Sequence, residues 1–197
     1  MRVRLINPPA PIVTWEEADA HLKLDGDESQ KPLVEALIAA ATGHIDGPGG
    51  WLGRALGVQT LEARGEAFWE PDWRLPYPPH IDLVSVKYLD TDGAQQTLGA
   101  DAYLFDDRHL VPAYGTSWPA ARNILGSVQV RYRAGYVADP EAEPLVAAVP
   151  QEIKRAILLM VGDLHRFRET ATVGTIGADI PMSTTVENLL APYRVFG

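Results

Sequence analysis

No cysteine occurs in the 197 residues. That excludes disulfides, thiolate zinc sites, iron–sulfur clusters and a cysteine nucleophile. Basic residues are scarce: 17 Lys and Arg stand against 26 Asp and Glu, for a net charge of −9. A surface with that balance repels a phosphate backbone, so affinity for bulk DNA is not expected. The charge is evenly spread, with −3 on each of residues 1–57, 58–138 and 139–197, so there is no basic arm and no acidic tail. No apolar run approaches the roughly 20 residues a membrane helix needs. The opening Met1-Arg2-Val3-Arg4-Leu5-Ile6 meets Asn7-Pro8-Pro9 at once and lacks the apolar stretch of a secretory signal. A soluble, cytoplasmic chain without a membrane partner is expected. Its composition, 46% apolar and 22% charged, is that of a globular protein. Folding a chain of this size buries about 70% of its extended surface, enough for a core without staples.

Three helices carry clear signals. Thr14-Trp15-Glu16-Glu17 is a capping box, and Ala18, Leu22 and Leu24 give the helix behind it an apolar side. A stronger helix is expected from about Ser29 to Ile45, with Pro32 in its first turn and Leu33, Leu37, Ile38, Ala41 and Ile45 near helical spacing. Gly47-Pro48-Gly49-Gly50 ends it, and Trp51 to Leu56 reads as a short buried turn or helix. The third starts at Pro150 and ends near Thr170, with one wide stripe of Ile153, Ala156, Ile157, Met160, Val161, Leu164 and Phe167. A short helix, Val186 to Leu190, is expected near the end.

Residues 58–138 read as strands. Val84, Val86 and Tyr88 alternate with Ser85 and Lys87, Asp90-Thr91-Asp92-Gly93 turns, and Gln95 to Leu98 returns. Val128, Val130 and Tyr132 alternate with Gln129, Arg131 and Arg133. Ala102 to Phe105 and His109 to Val111 are shorter candidates. The predicted class is α+β. A helical unit, residues 1–57 and 139–170, carries an antiparallel β insert, 58–138, of five to seven strands. Residues 171–197 form a flexible Gly/Thr/Ser-rich loop and a tail.

The polar clusters give little chemistry. Asp106-Asp107-Arg108-His109 is the densest, and two carboxylates with a histidine suit a metal-dependent hydrolase. Adjacent strand residues point to opposite faces, so a turn between two strands is the favoured reading. His80 with Asp82 reads as a solvated edge, and His165 with Glu169 as a surface pair. Gly47-Pro48-Gly49-Gly50 and Gly174-Thr175-Ile176-Gly177 lack the strand, helix and lysine of a phosphate loop and read as hinges. Ser117 and Ser127 have no nucleophile elbow. Arg131 and Arg133 are too few for a nucleic-acid stripe. No enzyme, metal or cofactor is expected; a metal hydrolase or a β-rich ligand-binding module is the alternative. One feature asks for a partner: Leu189-Leu190-Ala191-Pro192-Tyr193-Arg194-Val195-Phe196 is apolar and aromatic at a chain end. Such a segment either packs on its own domain or anchors to a neighbour.

Segments along nearly the whole chain carry a resemblance. They begin with Pro8-Pro9, Val13-Thr14-Trp15-Glu16-Glu17-Ala18, His21-Leu22-Lys23-Leu24, Leu33 to Ala41, and Gly53-Arg54-Ala55-Leu56. They continue with Arg74-Leu75-Pro76, Pro78-Pro79, Val84 to Asp90, Val111-Pro112-Ala113-Tyr114-Gly115 and Trp118-Pro119. Val128 to Gly135-Tyr136, Val149-Pro150, Ile153 to Leu159, and Leu189-Leu190-Ala191-Pro192-Tyr193-Arg194 complete the set. In that order they resemble the head–tail connector (adaptor, or head-completion) proteins of long-tailed bacteriophages and gene transfer agents. Gly47-Pro48-Gly49-Gly50 departs from the pattern, because it stands where the helix would run on toward Gly53-Arg54. The resemblance implies a virion neck component without catalysis, assembled in the bacterial cytoplasm. It implies a ring, usually dodecameric, that binds the portal protein, extends the DNA channel without gripping DNA, and offers a platform to a tail or stopper protein. On that reading Leu189, Leu190, Tyr193, Arg194, Val195 and Phe196 are expected to dock on the portal from a mobile tail.

Overall fold

A computed structural model describes residues 1–68, 72–167 and 182–196. It has the predicted α+β class. Among the described residues four helices, α1 (Trp15–Leu22), α2 (Lys31–Ile45), α3 (Gln151–Arg166) and α4 (Thr184–Leu190), accompany eight strands in two sheets. The strands are β1 (Arg2–Asn7), β2 (Gln59–Gly65), β3 (Trp73–Arg74), β4 (His80–Leu89), β5 (Gln95–Thr97), β6 (Tyr103–Asp106), β7 (His109–Pro112) and β8 (Val128–Ala134). The larger sheet has the order β1-β2-β8-β4-β5 and the smaller β3-β7-β6, with every pair antiparallel.

α1 starts where its cap puts it. The Thr14 hydroxyl accepts from the Glu17 amide, and the Glu17 carboxylate accepts from the Thr14 amide, closing the capping box. Pro32 lies in the first turn of α2, where its missing N–H has no intrahelical partner to lose. In α3, Ile153, Ala156, Ile157, Met160 and Val161 are all buried. That stripe packs against α1, α2 and α4. The helices share one apolar cluster with Ile12, Val13, Leu52, Leu56 and Val149. A second cluster, with Leu61, Trp73, Leu75, Val86, Leu110, Val130 and Tyr132, fills the space between the two sheets. β8 keeps the predicted alternation: Val128, Val130, Tyr132 and Ala134 are buried, and Gln129, Arg131 and Arg133 are half-exposed.

The first helical segment needs a correction. Residues 1–57 were expected to belong wholly to the helical unit, yet Arg2–Asn7 is a strand that pairs with β2. The prolines begin only at position 8, so the amides before them are free to enter a ladder, and Val3 alternates inward against the sheet core. The insert also holds two strands that the alternation did not single out, β2 and β3.

The units meet at Asp46, the residue after α2. Its carboxylate accepts from the Leu56 amide at 2.7 Å and from the Gln59 side chain at 3.0 Å, joining the helix end to the start of β2. Burial pushes this carboxyl up in pKa, against the pull of those donors and of the Gly47 amide. Gly47-Pro48-Gly49-Gly50 forms the turn around it, and the Gly47 amide donates to the Arg54 carbonyl at 2.7 Å.

Candidate partner-docking site

The C-terminal segment is held by its own chain. The Ser183 hydroxyl caps α4, and Val186 and Leu190 are fully buried in the helical core. Ala191–Tyr193 continues as a single 3-10 turn. The Tyr193 hydroxyl donates to Glu152 on α3 at 3.0 Å, and the Arg54 guanidinium donates to the Tyr193 carbonyl. The Val195 amide donates to the Leu52 carbonyl at 2.8 Å. The Arg194 guanidinium lies between two rings, 4.1 Å from the Trp51 centroid and 4.8 Å from that of Phe196. Such cation–π contacts orient the charge without neutralising it.

Gly53 makes this approach feasible. Its φ is +63°, and a β-carbon there would lie 2.7 Å from the Val195 carbonyl oxygen. The turn therefore requires glycine twice, once for its backbone and once for the space above it. Two segments of the sequence resemblance, Gly53-Arg54-Ala55-Leu56 and Leu189-Leu190-Ala191-Pro192-Tyr193-Arg194, thus touch across some 140 positions of chain. Sequence reading missed the partners Trp51, Leu52, Arg54 and Glu152; the glycine–arginine pair after the helix was the available signal.

The expected free tail is corrected in consequence. Leu190 is core, and Leu189 and Tyr193 pack against it, because α3 leaves an apolar stripe that α4 covers. Residues 168–181, which include most of the expected flexible loop, Glu169 and Gly174-Thr175-Ile176-Gly177, lie outside the described residues. What the segment still offers outward is Phe196, 78% exposed, beside the Arg194 charge.

The other candidate residues do not converge. Asp106 and Asp107 are exposed at the turn between β6 and β7, with Asp107 at φ +52°. The His109 ring bonds instead to Asp72, with Nδ1 2.8 Å from a carboxylate oxygen. Among the described residues no group of three His, Asp or Glu side chains is arranged to hold a metal. His80 places Nε2 3.1 Å from the Pro76 carbonyl, and Asp82 binds Arg133. His165 meets Gln30 at 3.3 Å. Arg131 binds Glu62 at 2.8 Å, and Glu62 also takes Arg64. Burial alone would raise the Glu62 carboxyl, but the two guanidinium groups outweigh it and hold the pKa below the usual range. Both arginines of β8 are thus spent on internal carboxylates. No helix among the described residues is long and apolar enough to cross a membrane.

No protein-family model matches the chain, and no curated protein is similar to it. Solved structures do match. A chain in the virion of a native gene transfer agent particle is similar at a TM-score of 0.69 and 18% identity, over 100% of this chain and 97% of that one. A chain from the neck of an empty gene transfer agent particle, computed with C6 symmetry, gives 0.68 and 21% over the same shares. A chain from the neck of a native particle, computed with C12 symmetry, gives 0.65 and 18%. End to end, the chain has the fold of these particle components.

Proposed function

We propose that this chain is a structural, non-enzymatic component of the neck of a tailed phage-like particle. It joins the head to the tail as a ring on the portal protein, prolongs the DNA channel and carries the tail or stopper protein. The observation behind this reading is the full-length likeness, in both directions, to chains of gene transfer agent particles and necks. Two of those necks were computed with cyclic symmetry, which supports a ring. The net charge of −9 suits a channel that DNA must slide through without sticking. Phe196 and Arg194 are the residues of the C-terminal segment left to meet the portal, with Leu189 at the edge of the contact and Leu190, Tyr193 and Val195 fixing the segment from below.

The test is deletion of the coding sequence in the producing bacterium. DNA-filled heads and free tails that no longer join, and that join again when purified protein is added, are the expected result. Normal numbers of tailed particles in the deletion would overturn the assignment.

A further inference from the structure

A ring of identical chains needs two different surfaces that fit each other, because its contacts run head to tail. The ring is the reading proposed above, and the inference rests on it. Two such surfaces lie on opposite sides of this molecule. One is the β1 side. β1 is the outer strand of the large sheet, so its far backbone edge is unpaired among the described residues. It carries Arg2, Arg4, Leu5 and Ile6, all exposed. Between β1 and α2 runs a groove of about 900 Å3, walled by Leu5, Pro8 to Pro11, Trp15, Ile38, Ala39 and Gly43. Lys31, Glu16, Glu35 and Asp46 also line it. Beside it α2 exposes Leu33 and the small residues Ala36, Ala39, Ala40 and Gly43, which allow close approach.

The other surface is the β5–β6 side. β5 ends the large sheet and β6 ends the small one. The two sheets run in the same sense, for Trp73 of β3 packs over Gly65 of β2 and Phe105 of β6 meets His80 of β4. Both free edges therefore face away from β1. Along β6, Tyr103 and Phe105 turn into the sheet core, while Leu104, 57% exposed, stands outward between Asp101 and Asp106. Asp90 and Asp92 extend the same side, and no lysine or arginine occurs from residue 88 to 107. Among the described residues, Arg2, Arg4, Asp92, Asp101 and Asp106 are in no salt bridge.

We propose that the β5–β6 edge of a second copy of this chain seats in the β1–α2 groove. Leu104 enters the apolar groove, and its acidic neighbours meet Arg2 and Arg4. Each copy has one groove and one edge, so the contact repeats head to tail in one direction, as a ring of identical chains requires. An unpaired edge strand with exposed Leu5 and Ile6 would otherwise invite uncontrolled pairing.

The cysteine-free sequence makes the test clean. Variants Ala39→Cys and Leu104→Cys are made singly and together, checked for wild-type folding by circular dichroism, and built into particles. They are then treated with a short bismaleimide. The double variant should give a ladder of covalent multimers, each single variant only monomer, and a mixture of the two single variants dimers and nothing larger. Adding Arg4→Glu to the double variant should remove the ladder, and Asp101→Arg on top of it should restore part of it. Dimers from Ala39→Cys alone would mean a two-fold contact and overturn the proposal. So would linkage of Ala39→Cys to a different neck protein, or a double variant that stays monomeric in particles whose necks hold a ring of this chain. Necks without any such ring would overturn the neck assignment itself.

Discussion

The contact between the Gly53 turn and the C-terminal segment gives the sharpest quantitative test. Gly53→Ala introduces two costs. The first is backbone strain, since φ is +63° and an alanine in the left-handed region costs about 1–2 kcal/mol. The second is the new methyl group, which would lie 2.7 Å from the Val195 carbonyl oxygen. Relief means moving Val195 away and weakening its 2.8 Å hydrogen bond to Leu52, worth about 1 kcal/mol. The sum is about 2–3 kcal/mol, or a fall in Tm of roughly 4–12 °C for a chain of this size. Gly115→Ala is the control. Gly115 has a similar φ of +76° but nothing within 4 Å of an added β-carbon, so only the strain remains. Paired thermal melts give the difference, and amide hydrogen exchange at Val195 locates it. Gly53→Ala should lose more stability than Gly115→Ala and should expose the Val195 amide, with little change in the sheet. Equal losses in the two variants, or an unchanged Val195 exchange rate, would refute the close approach and the docked segment with it.

Other outcomes follow from the same packing. Leu190→Ala should cost about 2–5 kcal/mol, as for other buried leucines, and removal of residues 186–197 should lower Tm rather than leave the fold intact. Phe196→Ala should change stability by less than about 0.5 kcal/mol because the ring is exposed, yet weaken pull-down of the portal about 30-fold if it is an interface anchor. Glu62 has a folded-state pKa below its unfolded value, so its stabilisation is present above the usual glutamate range and is lost as pH falls through the lower folded value. Denaturant titrations from pH 7 downward should show that loss in the wild type and a shallower one in Glu62→Gln.

Elements whose own residues state their period and ends were legible from the sequence. The Thr14–Glu17 box, the α3 stripe, the alternation of β8 and the Asp90–Gly93 turn all stand where pattern placed them. Short or end-of-sheet strands were not, because β3 has two residues and β1 exposes five of its six. Neither length nor alternation identifies such strands; only a neighbour's hydrogen bonds do.

The docked tail was hidden for a different reason. Apolar residues at α4 spacing look the same whether α3 covers them or another protein does. The pattern reports that a face needs cover and says nothing of where the cover comes from. Here the answer lies far away in the chain, in a glycine that must leave room for Val195, an arginine that reaches the Tyr193 carbonyl, and a glutamate that takes the Tyr193 hydroxyl. The same ambiguity applies to the β1–α2 groove and to Leu104, with the opposite resolution. No segment among the described residues fills that groove or caps that leucine, and the groove lies beside β1 at one end of the large sheet while β5 closes the other end. An internal partner would have to cross the molecule to reach from one to the other. A second copy placed alongside does not, and on the proposed ring the uncovered pair of surfaces would belong to the assembly rather than to the monomer.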